Sequence, residues 1–454
     1  MAKKIAIFGA GMTGLAAGRM LVQAGHEVDV YEASDQIGGL AKTYRDSDGF
    51  VYDNGPRFIF STLAEKIGIA HLCQPVKYYE DLYVGGRYYL FPFGFIRNPV
   101  YCASAGLATL TRLFHRKPQN LGEFLQTYYG RIFSSDVLKP LISKWAGIPT
   151  EEVSIDFASR LLPTNIGYVI HSLVKKLRGG VTEDYYKAGR YIVYPRGSNA
   201  VIFESLASTP GLRVHLRSPL EKLKTSGDRI QGAVVDQTPI EADYYLSTIP
   251  INTLPRLLDR PNSIAHWSQF HYRAIMILFI KLRRERVLNH LWTWFPEPKY
   301  RFYRISEFKN ALKDLSPADK TLIAVEFACE HDDPLWAADA RKAYREIEMD
   351  LHDLYGIGNG DVLGLDLRKS GYAYPVLRKS TELEQRAITH QTPFVNLFVA
   401  GRTGMFQYRM LEGCFESAMT CVARIHATVE GQTELSLPEL IRRDAFGRPT
   451  IVPE

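Results

Sequence analysis

The stretch KIAIFGAGMTGLAAGRMLVQAGHEVDVYE, residues 4–32, decides the fold. Ile5 to Phe8 is a short unbroken apolar run, the pattern of a strand buried on both faces of a parallel sheet. It breaks into Gly9-Ala10-Gly11-Met12-Thr13-Gly14, a G-x-G-x-x-G turn. Leu15 to Ala24 reads as a helix closed by Gly25, and Val28 to Tyr31 reads as a second strand ending at Glu32. Each part has a task in holding a dinucleotide. Gly9 makes the tight turn, Gly11 lets backbone approach a pyrophosphate, and Gly14 lets helix and strand pack closely. The free N–H groups at the helix start, around Met12 and Thr13, meet phosphate charge. Glu32 lies 18 positions after Gly14, where a carboxylate accepts hydrogen bonds from ribose hydroxyls. A βαβ unit that binds nothing does not explain three glycines and Glu32 together.

Working outward, Gly38-Gly39-Leu40 adds a second glycine turn just beyond the acid, and Gly49 to Phe60 runs as strand before breaking at Gly55-Pro56. Residues 4–60 resemble the N-terminus of a large FAD clan that holds amine oxidases, protoporphyrinogen oxidases, phytoene desaturases and UDP-galactopyranose mutases. In that clan a "D-x-G-x-H" segment brings backbone beside the isoalloxazine. Asp53-Asn54-Gly55-Pro56 is similar to it, with Arg57 where the mutases show His. Tyr194 to Asn199 before the helix Ala200–Ala207 resembles the clan's "P-x-G-G" helix start. Leu212 to Leu216, then Leu220, resembles the strand whose backbone contacts adenine. Ile230–Val235 and Ala242–Thr248 are read as completing a β-meander.

The C-terminal part carries the same resemblance. Asn396 to Arg402 is an apolar strand running into a Gly-Arg turn, followed by a helix that opens near Glu412. The resemblance implies that Gly401 and Arg402 face phosphate and that Met410, Leu411 and Glu412 lie near the flavin ring. Three pieces are similar to the mutases alone. Phe302 to Lys309 resembles "Y-T-R-I-x-E-H-K", Tyr372 to Val376 resembles "Y-Y-P-V", and Gly401-Arg402 with Tyr408 resembles "G-R-x-x-x-Y-x-Y", with Phe406 in place of its first Tyr. They imply that Arg304, Tyr374 and Tyr408 hold a substrate phosphate. A structural alternative makes Arg304 and Glu307 an ion pair and Tyr374 a core residue.

These readings give an α/β fold: a Rossmann-like FAD-binding domain (parallel sheet plus β-meander) with an inserted α+β substrate domain. The FAD-binding domain is expected from residues 1–80, 188–255 and 385–430. The substrate domain is expected from 81–187 and 256–384, with a tail over 431–454.

Composition sets the outer bounds. The 454 residues are 46% hydrophobic and 23% charged, which excludes disorder and leaves room for two or three cores. A net charge of +6 suits an acidic small-molecule substrate and is too weak to argue for nucleic acid. The five cysteines contain no Cys-x-x-Cys pair, and the N-terminus reads as neither signal nor transit peptide, so a reducing cytoplasm fits best. His71, His215, His290, His331 and His390 are not at metal-ligand spacing, and no metal is expected. Asp332-Asp333 reads as a solvated loop. The longest apolar stretch, Tyr88 to Phe114, reads as a pocket wall, with docking on a membrane surface as the alternative.

The expected function is an FAD-dependent oxidoreductase that takes a hydride from a small anionic substrate. The alternative is an isomerase of a nucleotide sugar that uses reduced FAD, as the mutase resemblance implies.

Overall fold

In a computed structural model, the structure describes residues 2–91, 94–95, 98–111, 116–160, 192–259, 264–390, 392–431, 441–443 and 449–451. The chain opens with β1 (Lys4–Phe8), α1 (Met12–Gln23) and β2 (Glu27–Tyr31). The hairpin β3 (Glu80–Val84) and β4 (Arg87–Phe91) leads to helices α2 (Pro99–Thr111) and α3 (Lys139–Ala146). After α4 (Ala200–Ala207) come β5 (Leu212–His215), β6 (Leu220–Ser226), β7 (Arg229–Val235), β8 (Thr238–Ile240) and β9 (Tyr244–Ser247). Five strands of a second sheet follow: β10 (Tyr272–Leu282), β11 (Trp292–Trp294), β12 (Arg304–Glu307), β13 (Thr321–Cys329) and β14 (Val362–Pro375). Strand β15 (Leu397–Val399) and helix α5 (Leu411–Val429) complete the core.

The first sheet is parallel throughout, in the order β5-β2-β1-β9-β15. Its central strand is covered on both faces, which is why β1 is apolar at every inner position. Ile5 and Ile7 pack with residues of α1 and α5, while Ala6 and Phe8 pack on the opposite side with Ile230, Val235 and Tyr245. Strands β6, β7 and β8 form the antiparallel meander. Residues 242–248, expected to complete it, instead supply β9 to the parallel sheet. Tyr245, Leu246 and Ser247 are all buried there, the pattern of a strand covered on both faces rather than of an alternating meander strand.

The second sheet has seven strands in the order β14-β10-β13-β12-β11-β3-β4, so the hairpin of residues 80–91 joins strands from 272–375. Strand β10 shows how it is packed. Ala274, Met276, Leu278 and Ile280 lie in one cluster with Leu351 and Ile357, and Ile275, Ile277 and Phe279 lie in another with Phe50, Tyr52 and Tyr194. The second cluster faces the segment that follows the glycine turns, and the candidate site is built on that face.

Helix α2 lines an open surface cleft, through Val100, Ala103 and Leu107, rather than the buried pocket expected of it, since only Tyr101 and Ala108 within it are buried. Residues 92–93, 96–97 and 112–115 of that stretch lie outside the described residues. Asp332-Asp333 does lie in a solvated turn, with Asp332 exposed, while the half-buried Asp333 pairs with Arg301 and the neighbouring Glu330 pairs with Arg273 and His271. The expected tail lies mostly outside the described residues, although 441–443 pairs with 449–451.

Candidate flavin and substrate site

The site begins where the parallel strands end. Gly9 has φ +106°, and a Cβ there would stand 2.4 Å from Thr248 Oγ1. A Cβ on Gly14 would stand 1.9 Å from the Gly9 carbonyl oxygen, so helix and turn touch backbone to backbone. The second glycine turn docks on the first. Gly38 donates its N–H to the Ala10 carbonyl at 2.9 Å, and a Cβ on Gly39 would lie 3.2 Å from Gly11 Cα. A Cβ on Gly11 itself would meet only Gly39 Cα, at 3.8 Å, so space is open in front of the turn. The first turn of α1, at Met12 and Thr13, carries no acidic residue and has N–H groups with no carbonyl behind them. Leu40 sits in the short 3-10 turn Gly39–Ala41 that closes this cradle.

Glu32 stands at the rim. One carboxylate oxygen accepts the Ala10 N–H at 2.9 Å, and the other accepts the Ser34 N–H and hydroxyl at 3.0 and 2.6 Å. A carboxylate offers about four acceptor positions, so one remains for a ribose hydroxyl. Ser218 and Arg217 donate their N–H groups to the carbonyls of Glu32 and Ser34, which brings Leu220 and the start of β6 to the same rim.

From the other side comes the C-terminal segment. Gly401 has φ +86° and is pressed on the glycine turn, with a Cβ there only 2.6 Å from Thr13 Oγ1. Leu411 is buried in the core with α1. Glu412 accepts the Phe60 N–H at 2.8 Å, tying the start of α5 to the Asp53–Arg57 segment, and Met410 is half exposed at the helix N-cap.

Asp53 is fully buried and accepts from Thr43, Tyr194 and Asn199. Burial pushes its carboxyl up to about 6, against the pull of those donors. Asn199 also donates to the Arg57 carbonyl at 2.9 Å, so the loop 53–57 is fixed at both ends. The Oδ1 of Asn54 in that loop is buried and has no partner among the described residues. An open glycine cradle at a helix N-terminus, a rim carboxylate with capacity left and an orphaned amide oxygen in the adjoining loop all fit a flavin dinucleotide.

The sequence-predicted substrate residues come together beside this loop. Register alone aligns Glu326, Arg304 and Trp294 across β13, β12 and β11. Arg304 donates to both oxygens of Glu326, at 2.8 and 2.7 Å, and its guanidinium lies 4.7 Å from the Trp294 ring. It does not pair with Glu307, whose carboxylate accepts from Val287, Leu288 and Thr321. Glu80, from β3, accepts the indole N–H groups of Trp292 and Trp294, and burial raises its pKa.

Tyr374 and Tyr408 stack with centroids 5.6 Å apart and an interplanar angle of 9°. Trp145, from α3, meets both edge-on at 4.4 and 5.3 Å. Lys144 holds α3 in place: its ammonium donates to the carbonyls of Phe295, Glu297, Tyr300 and Phe302, and burial pushes its pKa down to about 8. Burial alone would raise the Tyr374 phenol, but Arg304, Arg57 and Arg402 outweigh it and bring the pKa below its ordinary value.

Arg402, expected to face phosphate, has protein partners in this structure. Its guanidinium donates to the Ala373 carbonyl at 3.0 and 2.7 Å and lies 4.8 and 4.4 Å from the Tyr374 and Tyr408 rings. It therefore belongs to the aromatic cluster. Phe406, where the mutase pattern has Tyr, is fully buried against Phe270 and Tyr272. Arg57 donates to the Pro56 carbonyl at 3.1 Å and has no carboxylate within ion-pair distance among the described residues. Among the described residues no group of His, Cys, Asp and Glu could hold a metal ion.

The sequence reading missed Glu326, Glu80 and Trp145. A lone carboxylate inside the otherwise apolar run TLIAVEFAC was the available signal for Glu326.

Comparison with known proteins follows from this geometry. Residues 12–426 match the family described as flavin containing amine oxidoreductase. An L-amino-acid oxidase of Bothrops jararacussu is 49% identical over 55 residues, which are 12% of this chain and 11% of that protein's length. The chain thus spans only about a ninth of the curated relatives it matches first. Among solved structures, reduced UDP-galactopyranose mutase superposes with a TM-score of 0.79 at 19% identity, covering 95% of this chain and 97% of the other. A protein of Exiguobacterium sp. 255-15, described as a protoporphyrinogen oxidase, superposes at 0.73 with 18% identity, covering 95% and 99%.

Proposed function

The chain belongs to the flavin-containing amine oxidoreductase family and is an FAD-dependent enzyme, and from that premise we propose that it oxidises a small anionic substrate. The observation that supports this reading is Arg402 lying over the Tyr374–Tyr408 stack, with Arg304 and Arg57 near enough to help lower the Tyr374 pKa. Against three guanidinium groups stand two buried carboxylates, Glu326 and Glu80, the second with a raised pKa. The cluster is therefore short of negative charge in a poorly solvated place, where an anion gains more than it would in water.

FAD, when bound, supplies the two-electron acceptor. The glycine turns at Gly9–Gly14 and Gly38–Gly39 would hold its pyrophosphate, Glu32 its ribose, and the loop Asp53–Arg57 with the start of α5 would lie beside its ring. The protein's own work is positioning. Arg57 binds the anionic group, the Tyr374–Tyr408 stack with Trp145 orients an adjoining apolar part, and the surrounding aromatic wall excludes water. Tyr374, with its lowered pKa, reaches the phenolate form more readily than an ordinary phenol and in that form would accept the proton a substrate sheds as it is oxidised.

A second reading is an isomerase of a nucleotide sugar working on reduced FAD. What favours it is the phenol pair set beside Arg304 and Arg402, since hydroxyl donors with planar cations suit a diphosphate. One experiment separates the two. The holoprotein is reduced without oxygen, then offered oxygen, quinones and dyes while the flavin absorbance is followed. Reoxidation by one acceptor is expected. Persistence of the reduced form against all of them, with interconversion of a UDP-sugar by the reduced protein alone, refutes oxidation and establishes the second reading.

A further inference from the structure

Helix α2 breaks the pattern of a surface helix. Its thirteen residues contain no charged side chain, yet only Tyr101 and Ala108 are buried. Val100, Leu107 and Leu110 are 53%, 63% and 74% exposed, and with Ala103 they follow the spacing of one helical face. Ile132, 40% exposed, extends that face from the next helical segment, with Arg131 beside it. A helix on a water-facing surface normally turns charge outward, so this face is built for an apolar contact.

The charge of the surrounding sequence selects the partner. Between Asp81 and Glu123 the sequence has no acidic residue, against Arg87, Arg97, Arg112, Arg116 and Lys117. An apolar face within a purely cationic segment matches the boundary between acyl chains and anionic headgroups. At about 1.5 Å per residue α2 is roughly 20 Å long, too short to span a hydrocarbon core of about 30 Å. No helix among the described residues is long and apolar enough to cross a membrane.

We propose that the exposed face of α2, with Ile132 and Arg131, docks in the plane of an anionic lipid bilayer. This stands apart from the catalytic reading and needs no particular substrate. It also has a structural link to the site. Residues 131–146 form one helical stretch, with a π-turn at Ser134–Leu138, that begins at this face and ends with Trp145 against Tyr374. Ile132 and Trp145 are thus about 20 Å apart along a single rod.

The test is sedimentation of the full-length holoprotein with vesicles of phosphatidylcholine alone and of phosphatidylcholine with equal phosphatidylglycerol. The parent protein is expected to sediment with the anionic vesicles and to be released by salt. The double variant Leu107→Gln/Leu110→Gln should bind at least about tenfold more weakly. Arg131→Glu should weaken only the anionic-vesicle binding, and both variants should keep the parent's flavin content and melting temperature. Absence of sedimentation, or variants that bind like the parent, overturns the proposal. A concentration-dependent dimer abolished by the leucine substitutions, without vesicle binding, also overturns it and assigns the face to a second copy of the chain.

Discussion

Replacing Glu326 by Gln tests whether the arrangement at Arg304 is as tightly balanced as its geometry indicates. Both partners are buried, Glu326 at 1% and Arg304 at 6% exposure, and both oxygens of the carboxylate receive guanidinium N–H groups. Burial by itself would lower the Arg304 pKa, and Glu326 more than reverses that. A glutamine of the same shape keeps one acceptor but turns an NH2 toward a guanidinium that can only donate. Removing one member of such a buried pair costs about 3–5 kcal/mol, because the remaining charge is left uncompensated. Tyr303 also loses the charged acceptor it now holds at 2.7 Å, which adds to the loss. Urea unfolding followed by tryptophan emission reports the site directly, since Trp292 and Trp294 flank Arg304. The double variant Arg304→Met/Glu326→Gln should recover at least half of the loss, because it leaves no charge behind. A single variant within about 1 kcal/mol of the parent refutes the reasoning. So does a double variant less stable than the single one.

Three other outcomes are expected. Gly14→Ala puts a methyl where the Gly9 carbonyl oxygen already stands, 1.9 Å away, so the turn must open and the purified protein should carry almost no flavin by its absorbance ratio. Tyr374→Phe should remove a phenol that titrates below the ordinary tyrosine range from an ultraviolet pH titration while sparing the aromatic stack, in keeping with the lowered pKa of that hydroxyl. His390 is buried with its pKa pushed down to about 4 by desolvation, while Val399 accepts from its ring at 2.9 Å. Because the folded state resists a proton that the unfolded chain takes up below about 6.5, stability is intact above that pH and falls as acid is added down to about 4, by roughly 3 kcal/mol in all. His390→Asn should flatten that part of the stability–pH curve.

What could be read in the sequence depended on how local its cause was. The glycine turn, α1 and Glu32 are contiguous, and each answers to chemistry within about thirty residues, so pattern and structure agree. The helix at 200–207 has the limits expected of it. Residues 242–248 were legible as a strand but not as a member of the right sheet, because the partners of Tyr245 are Ala6 and Leu397, far off in the chain. The ion pairs were hidden for the same reason. Arg304 and Glu326 become neighbours only through antiparallel register, and Asp333 meets Arg301 across a whole strand. For Arg402 the motif places the turn but not the rotamer, which in this structure is set by the Ala373 carbonyl at the end of β14.

The partners of the three arginines bear on what the cluster is for. A core that needed only stability would not carry them, since hydrophobic residues of similar volume are often as stable as a buried ion pair, or more so. Arg304 is neutralised by Glu326, and Arg402 is held by the Ala373 and Arg409 carbonyls and two phenol faces, without a charged partner among the described residues. Among the described residues Arg57 donates only to the Pro56 carbonyl. The three cations come from three segments distant in sequence: the loop behind the glycine turns, the large sheet and the C-terminal turn. Each segment is pinned separately, by Asn199 on the Arg57 carbonyl, by register at Arg304 and by Thr13 against Gly401. Positive charge assembled this way in a dry aromatic setting costs folding free energy. On the proposed reading an anionic substrate would offset that cost, and Arg57 would be the member that meets it.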